Sequence, residues 1–219
     1  MIPIARMTEP PDFDRRIRQP GRAAIDELVG RPARTGRKTS RRQVADREED
    51  IPADQFPPRW RLVLDDMLEL YERRCAYLAV YLEPGTSSPT IDHIVPKSQD
   101  WRLVYEWTNY CLCAVVVNAK KGELLTLVDP FSVEEGWFAL NLATFEVELG
   151  PKPAPSSLDR ISATLPILNL RGCCRLREEY VNRYRLGPPH GIDLQYLEWR
   201  APFVALELRR QGALVRRDC

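Results

Sequence analysis

Two histidines occur in the chain, and one of them, His93, stands in a setting that could do chemistry. Asp92 precedes it in a strand-like run, Thr90 to Val95. Asn109 follows after a loop, and Asn118 lies nine residues further on, in a stretch that reads as a helix ending in Lys120, Lys121 and Gly122. A carboxylate and an asparagine carbonyl are oxygen donors, and with water they favour a hard cation such as Mg²⁺ or Mn²⁺ over Zn²⁺. A neutral histidine beside them can take a proton from water near pH 7. Lysines just beyond can hold a polyanion. These residue types suit metal-assisted hydrolysis of a phosphodiester, in which the ion stabilises developing charge and the base activates water. The run 31–42, RPARTGRKTSRR, adds Arg31, Arg34, Arg37, Lys38, Arg41 and Arg42 with no acid, and Asp46-Arg47-Glu48-Glu49-Asp50 follows closely. Such a basic run is either a phosphate-touching arm or a solvated linker.

The elements that must position these residues are legible in outline. Pro57-Pro58 opens a helix in which Trp60, Val63, Leu64, Met67, Leu68 and Tyr71 recur at three- and four-residue steps. Thr90–Val95 and Asn109–Cys113 read as strands, and Ala114–Lys121 as a helix closed by Gly122. Residues 136–140 and 144–149 read as a hairpin, and 156–165, 173–184 and 193–211 as helices, the last kinked at Pro202. The spacing divides the chain into an extended basic arm over 1–57, a central module over 58–125 and a hairpin-plus-helical region over 126–219. Within the arm only 23–29 reads as a short helix, closed by Gly30.

Composition narrows the function classes. At 219 residues with 44% apolar and 29% charged side chains, the chain has an ordinary globular balance. The 32 basic and 31 acidic side chains leave a formal charge of +1, so any nucleic-acid contact must come from a local patch. The apolar runs 75–82 and 110–117 are far shorter than the roughly 20 residues a membrane helix needs. No secretory signal is read at the N-terminus, and the six cysteines form no C-x-x-C pair, which points to a reduced cytoplasm and no membrane.

The stretch 91–122 resembles the HNH endonucleases of the ββα-metal fold, and within it the HNH domain of the RNA-guided CRISPR nuclease. Asp92-His93-Ile94-Val95-Pro96-Lys97-Ser98 matches the first strand of that family, Trp107-Thr108-Asn109 its central W-x-N, and Asn118-Ala119-Lys120-Lys121-Gly122 its closing N-x-x-K-G. The match spans residues 70–125, about a quarter of the chain. The resemblance implies an α+β fold, a ββα catalytic module beside a helical C-terminal region and an extended N-terminal segment. It implies His93 as general base, Asp92 and Asn118 as ligands of one Mg²⁺ or Mn²⁺, and Asn109 holding the loop that orients His93. Lys97 and Lys121 would face phosphate. Many relatives bind a structural zinc through two C-x-x-C pairs; those positions here are Cys75, Leu78, Ala114 and Val117, so no structural zinc is expected. One tension stands: neighbouring strand residues point to opposite faces, yet Asp92 and His93 must serve one site.

The expected activity is therefore metal-dependent hydrolysis of DNA, nicking by one site and double-strand cutting by a homodimer or larger complex. The start Met1-Ile2-Pro3-Ile4, the central motif and the helical C-terminal third also resemble the HNH subunits of Septu-type and retron-associated anti-phage systems, which work beside an SMC-like or ABC-type ATPase. Two alternatives remain open: an RNA-cleaving HNH toxin, and a catalytically silent HNH-fold scaffold that binds a partner.

Overall fold

The computed structural model describes residues 1–31, 42–215 and 218. Arg34, Arg37, Lys38 and Arg41 of the basic run lie outside the described residues. Among the described residues the fold mixes seven α-helices with two small antiparallel sheets, consistent with the α+β class. None of these helices is long and apolar enough to cross a membrane.

The first fifty-odd residues differ from the extended arm expected of them. A π-wound segment, Asp14–Arg18, runs directly into helix α1, Gln19–Leu28. Pro20 sits in the first turn of α1, where its missing N–H leaves no bond unmade. Phe13, Ile17, Ala24, Ile25 and Leu28 are buried, at the three- and four-residue steps of one helical face. The preceding stretch is strapped to the centre of the molecule. Met7 accepts a bond from the Trp107 indole N–H at 2.8 Å and donates its own N–H to the Tyr71 hydroxyl at 3.0 Å. Met1, Phe13, Met67, Leu112, Val181 and Leu208 belong to one buried cluster, so the N-terminal, central and C-terminal segments share a core.

The helix expected from Pro57-Pro58 is split. Arg59–Val63 is a 3₁₀ segment, and α2 proper is Leu64–Leu70. The chain then turns sharply through Glu72 and Arg73, both with positive φ. A tight loop follows. Cys75 N–H bonds Val80 O at 2.9 Å, Ala79 N–H bonds Cys75 O at 2.9 Å, and Ala76 N–H bonds Leu112 O at 2.8 Å. Cys75 Sγ accepts the N–H of Ala114 at 3.4 Å. Burial pushes the Cys75 thiol up, but the Cys113 thiol and the backbone N–H groups of Leu78, Ala114 and Tyr77 outweigh it and bring it down to about 7.

Strand β1, Pro89–His93, pairs antiparallel with β2, Tyr110–Ala114, in a register that sets Asp92 opposite Cys111 and His93 opposite Tyr110. Helix α3, Val115–Lys121, follows without a break and packs on both strands. Gly122 ends it at φ +53°, a conformation that favours glycine. Downstream come the hairpin β3, Phe138–Leu140, and β4, Val147–Leu149, then α4, Leu158–Leu168, and α5, Arg171–Leu186. The buried Arg177 guanidinium ties them together, donating to Phe145 O at 3.1 Å and Leu168 O at 2.6 Å. The last expected helix is two, α6, Leu194–Arg200, and α7, Pro202–Arg210, broken at Ala201 because Pro202 has no N–H to continue the ladder.

The approach of α1 to the centre depends on Gly21. A Cβ there would overlap the ring of Tyr105, and that ring is fixed by its hydroxyl donating to Pro57 O at 2.9 Å. Gly21→Ala is expected to destabilise the protein by about 1–3 kcal/mol, although alanine favours a helix by up to ~1 kcal/mol. A urea titration that gives an unchanged or higher midpoint would remove this constraint.

Candidate active site

His93 closes β1 and is 8% exposed. Its Nε2 lies 3.0 Å from Val104 O, and the Tyr110 hydroxyl donates to the same carbonyl at 2.7 Å. A carbonyl only accepts, so Nε2 carries the hydrogen and Nδ1 the lone pair. Two rings wall the imidazole edge-on: Trp60 at 4.7 Å and Tyr110 at 5.1 Å between centroids. Lys97 Nζ stands 4.5 Å from the Trp60 ring centroid. Burial pulls the His93 imidazole down to about 3; the Val104 carbonyl opposes this, and the charges of Lys97 and Lys121 add to it. His93 is thus neutral at ordinary pH, as a base must be, but weakly basic and covered. Burial also pulls the half-buried Lys97 amine below its usual range.

Asn109 holds the loop between the strands. Its Oδ1 accepts from Val95 N–H at 2.8 Å, and its Nδ2 donates to Val95 O at 3.0 Å and Leu103 O at 3.2 Å. Its own carbonyl accepts from Ile94 N–H at 2.9 Å. This clamps the residues that follow His93 against the segment whose Val104 carbonyl orients the imidazole.

Asp92 points away from His93, as the pleat requires. Its carboxylate is 2% exposed. Lys121 Nζ lies 3.1 Å from Oδ1, the Tyr77 hydroxyl donates to Oδ2 at 2.9 Å, and the Cys111 thiol lies 3.7 Å from Oδ2. Burial pushes the Asp92 carboxyl up, and these three partners pull it back. Lys121 was expected to face phosphate. It is instead fully buried, four residues after the buried Val117 and on the same helix face, with a second bond to His93 O at 2.6 Å. Asn118 Nδ2 makes only long contacts, 3.4 Å to Thr90 Oγ1 and 3.4 Å to Ile91 O.

The expected metal ligands do not form a divalent-ion site in this arrangement. Both Asp92 oxygens are engaged, Oδ1 by the Lys121 ammonium and Oδ2 by the Tyr77 hydroxyl. The backbone carbonyl of Asn118 accepts the N–H of Gly122 at 3.0 Å. The described members of the basic run lie elsewhere. Arg31, at the end of α1, pairs with Asp26 at 3.2 Å and with Glu48 at 2.5 Å, and Arg42 is exposed. The structure therefore brings His93 and Asn109 into one constellation and Asp92 and Lys121 into another, on the opposite face of β1. Sequence reasoning missed Trp60, Tyr77 and Tyr110, each of which read as ordinary apolar filling, and the Val104 carbonyl, which carries no side-chain signal.

Two outcomes test this geometry. His93 is at about 3 when folded and near 6.5 when unfolded. Between those values the unfolded chain binds more protons, so this contribution is complete above pH 6.5 and is lost as pH falls toward 3. His93→Gln keeps an N–H for Val104 O but does not titrate. Between pH 7 and pH 4 the wild type should lose roughly 3 kcal/mol more stability than His93→Gln; parallel urea midpoints would refute the burial. Separately, diethylpyrocarbonate acylates neutral imidazoles. Adduct mapping should find the exposed His190 modified quickly and His93 slowly, with Trp60→Ala accelerating His93 roughly tenfold or more as its cover is removed. Equal reactivity of the two histidines in the wild type would contradict the closed site.

In comparisons with known proteins, no protein-family model matches the chain and no curated protein matches it.

Proposed function

We propose that the protein is an HNH-type endonuclease that hydrolyses phosphodiester bonds of nucleic acid, with DNA as its first expected substrate. The observation that carries this reading is the locked imidazole. His93 ends the first strand of a strand–loop–strand–helix unit, with Nε2–H held by Val104 O and the loop clamped by Asn109. That leaves Nδ1 as the one lone pair able to take a proton from an attacking water. Once exposed, His93 next to an anionic phosphate would become more basic, because the negative charge favours the imidazolium. Displacing the Trp60 cover and binding substrate would thus act in the same direction. A partner that delivers the substrate, such as the SMC-like or ABC-type ATPase of an anti-phage system, suits a chain with so little net charge. Double-strand cutting would take two copies.

A second reading, a silent HNH-fold scaffold, is favoured by one observation: the Asp92 carboxylate is buried and paired internally with Lys121. The test is cleavage of plasmid and of matched RNA by wild type and His93→Ala, each with Mg²⁺, with Mn²⁺ and with EDTA. The nuclease reading expects nicking that falls by roughly 100-fold or more in the variant. Equal cleavage by both would remove His93 from the mechanism. No cleavage by wild type, even with Trp60→Ala, would favour the scaffold.

A further inference from the structure

A cleft of about 600 Å³ opens between α1 and the segment 101–106, within the range of small-ligand sites, about 300–1,000 Å³. It belongs to the same loop that serves His93. Val104, whose carbonyl holds the imidazole, sits between the cleft residues Trp101 and Tyr105. The Tyr105 ring lies 6.3 Å from that of Trp60, which packs on His93 at 4.7 Å.

The lining selects a class of ligand. The half-exposed Trp101 gives flat apolar surface, with the exposed Ala23 opposite on α1, while the buried Tyr105 and Ile25 form the floor. The half-buried Trp101 makes no indole N–H bond to a described residue. At the polar edge stand Arg22, Arg31 and Arg102 with Asp26, Glu48 and Glu106. These charges are paired: Arg22 with Glu106 at 3.2 Å, Arg31 with Asp26 at 3.2 Å, and Arg102 with Asp100 at 2.8 Å. A bare anion would meet three carboxylates, and a bare cation three guanidinium groups. A neutral, flat ring whose edge both donates and accepts would meet complementary groups throughout. That is the description of a nucleobase. The cleft is also preformed: the Tyr105 hydroxyl is pinned to Pro57 O, and Gly21 lets α1 lie directly against the Tyr105 ring.

We propose that this cleft takes an unpaired nucleobase of the substrate strand, flanking the phosphate presented to His93, so that the protein acts on single-stranded or locally opened nucleic acid. The placement beside His93 rests on the nuclease reading; the binding does not. A base paired within a duplex has its faces covered by stacking and cannot enter a walled cleft. The guanidinium groups of Arg22 and Arg102, 68% and 72% exposed, lie where the flanking phosphates would pass.

The test is fluorescence anisotropy of the full chain in EDTA with three labelled probes: a mixed-sequence single-stranded DNA, the matching RNA, and the blunt DNA duplex. Wild type should bind a single strand roughly tenfold or more tighter than the duplex, and Trp101→Ala should lose roughly tenfold, as expected for loss of one stacked base. Trp101→Phe should retain most of the affinity. If Trp101→Ala fails to fold, Ala23→Trp, at an exposed helix position, should block the cleft and give the same loss. The DNA and RNA probes show which sugar is preferred. Duplex binding as tight as single-strand binding, no single-strand binding at all, or a folded Trp101→Ala or Ala23→Trp within about twofold of wild type would each overturn the proposal. His93→Ala separates the two readings. If it binds like wild type and no protein cleaves, the nuclease reading fails and the cleft stands. If cleavage depends on His93 while the cleft variants bind and cut normally, the cleft fails and the nuclease stands.

Discussion

The centre of this molecule is organised around a charge that cannot be left alone. Lys121 is carried inward by α3, and an ammonium in the protein interior requires a counter-charge and acceptors. It finds both at the end of β1, in Asp92 Oδ1 and His93 O. The pair fixes where α3 ends and how it crosses the strands. The second Asp92 oxygen then receives the Tyr77 hydroxyl, which draws the Cys75–Val80 loop against the sheet. Such a pair adds little net stability, because desolvation offsets most of the attraction. What it contributes here is position: α3 cannot slide along the strands without stranding a buried charge.

That choice sets what the other face of β1 can do. Adjacent strand residues face opposite ways, so an Asp92 committed to Lys121 leaves His93 in a separate, aromatic environment. There the imidazole is held by one carbonyl and two ring edges and stays neutral. The conflict between Asp92 and His93 serving one site is resolved by the pleat, with no bulge in the β1–β2 register. Chemistry through His93 alone needs only the Trp60 side to open, whereas chemistry through both residues would require the Asp92–Lys121 pair to part.

The parts of this arrangement that the sequence disclosed are those governed by local rules. The strand–loop–strand–helix order, Gly122 as the helix stop and the Pro202 break follow from residues acting on their own backbone neighbourhood, whereas Asn109 as a loop clamp was implied only by the family resemblance, its bonds reaching Val95. The obscured parts are long-range pairings. Lys121 lies 29 residues from Asp92, and a lysine near a helix end ordinarily reads as solvated. Its position four residues after Val117 was the available sign that it points inward. The N-terminal segment misled for another reason. Its prolines and charges mask the sparse apolar set Phe13, Ile17, Ile25 and Leu28, and Pro20 looks like a break although it occupies the one part of a helix that tolerates it. Glu72 and Arg73 adopt positive φ without a glycine to announce the turn that follows α2.

The near-zero net charge acquires a local meaning on the α1 face. Glu106 bridges Arg18 at 2.8 Å and Arg22 at 3.2 Å, and Arg18 also meets Glu9 at 2.7 Å and Asp14 at 3.2 Å. These contacts hold the Arg18 guanidinium well above its usual range, with the Glu9 contact the largest cause. An incoming phosphate therefore competes with carboxylates for guanidinium groups that are already engaged. The attraction a polycation would offer to any nucleic acid is largely cancelled, and non-specific affinity falls with it. What remains between the pairs is uncharged surface, chiefly the half-exposed Trp101. A surface that neutralises its own arginines in this way leaves flat apolar rings, rather than free positive charge, as its main means of selecting a ligand.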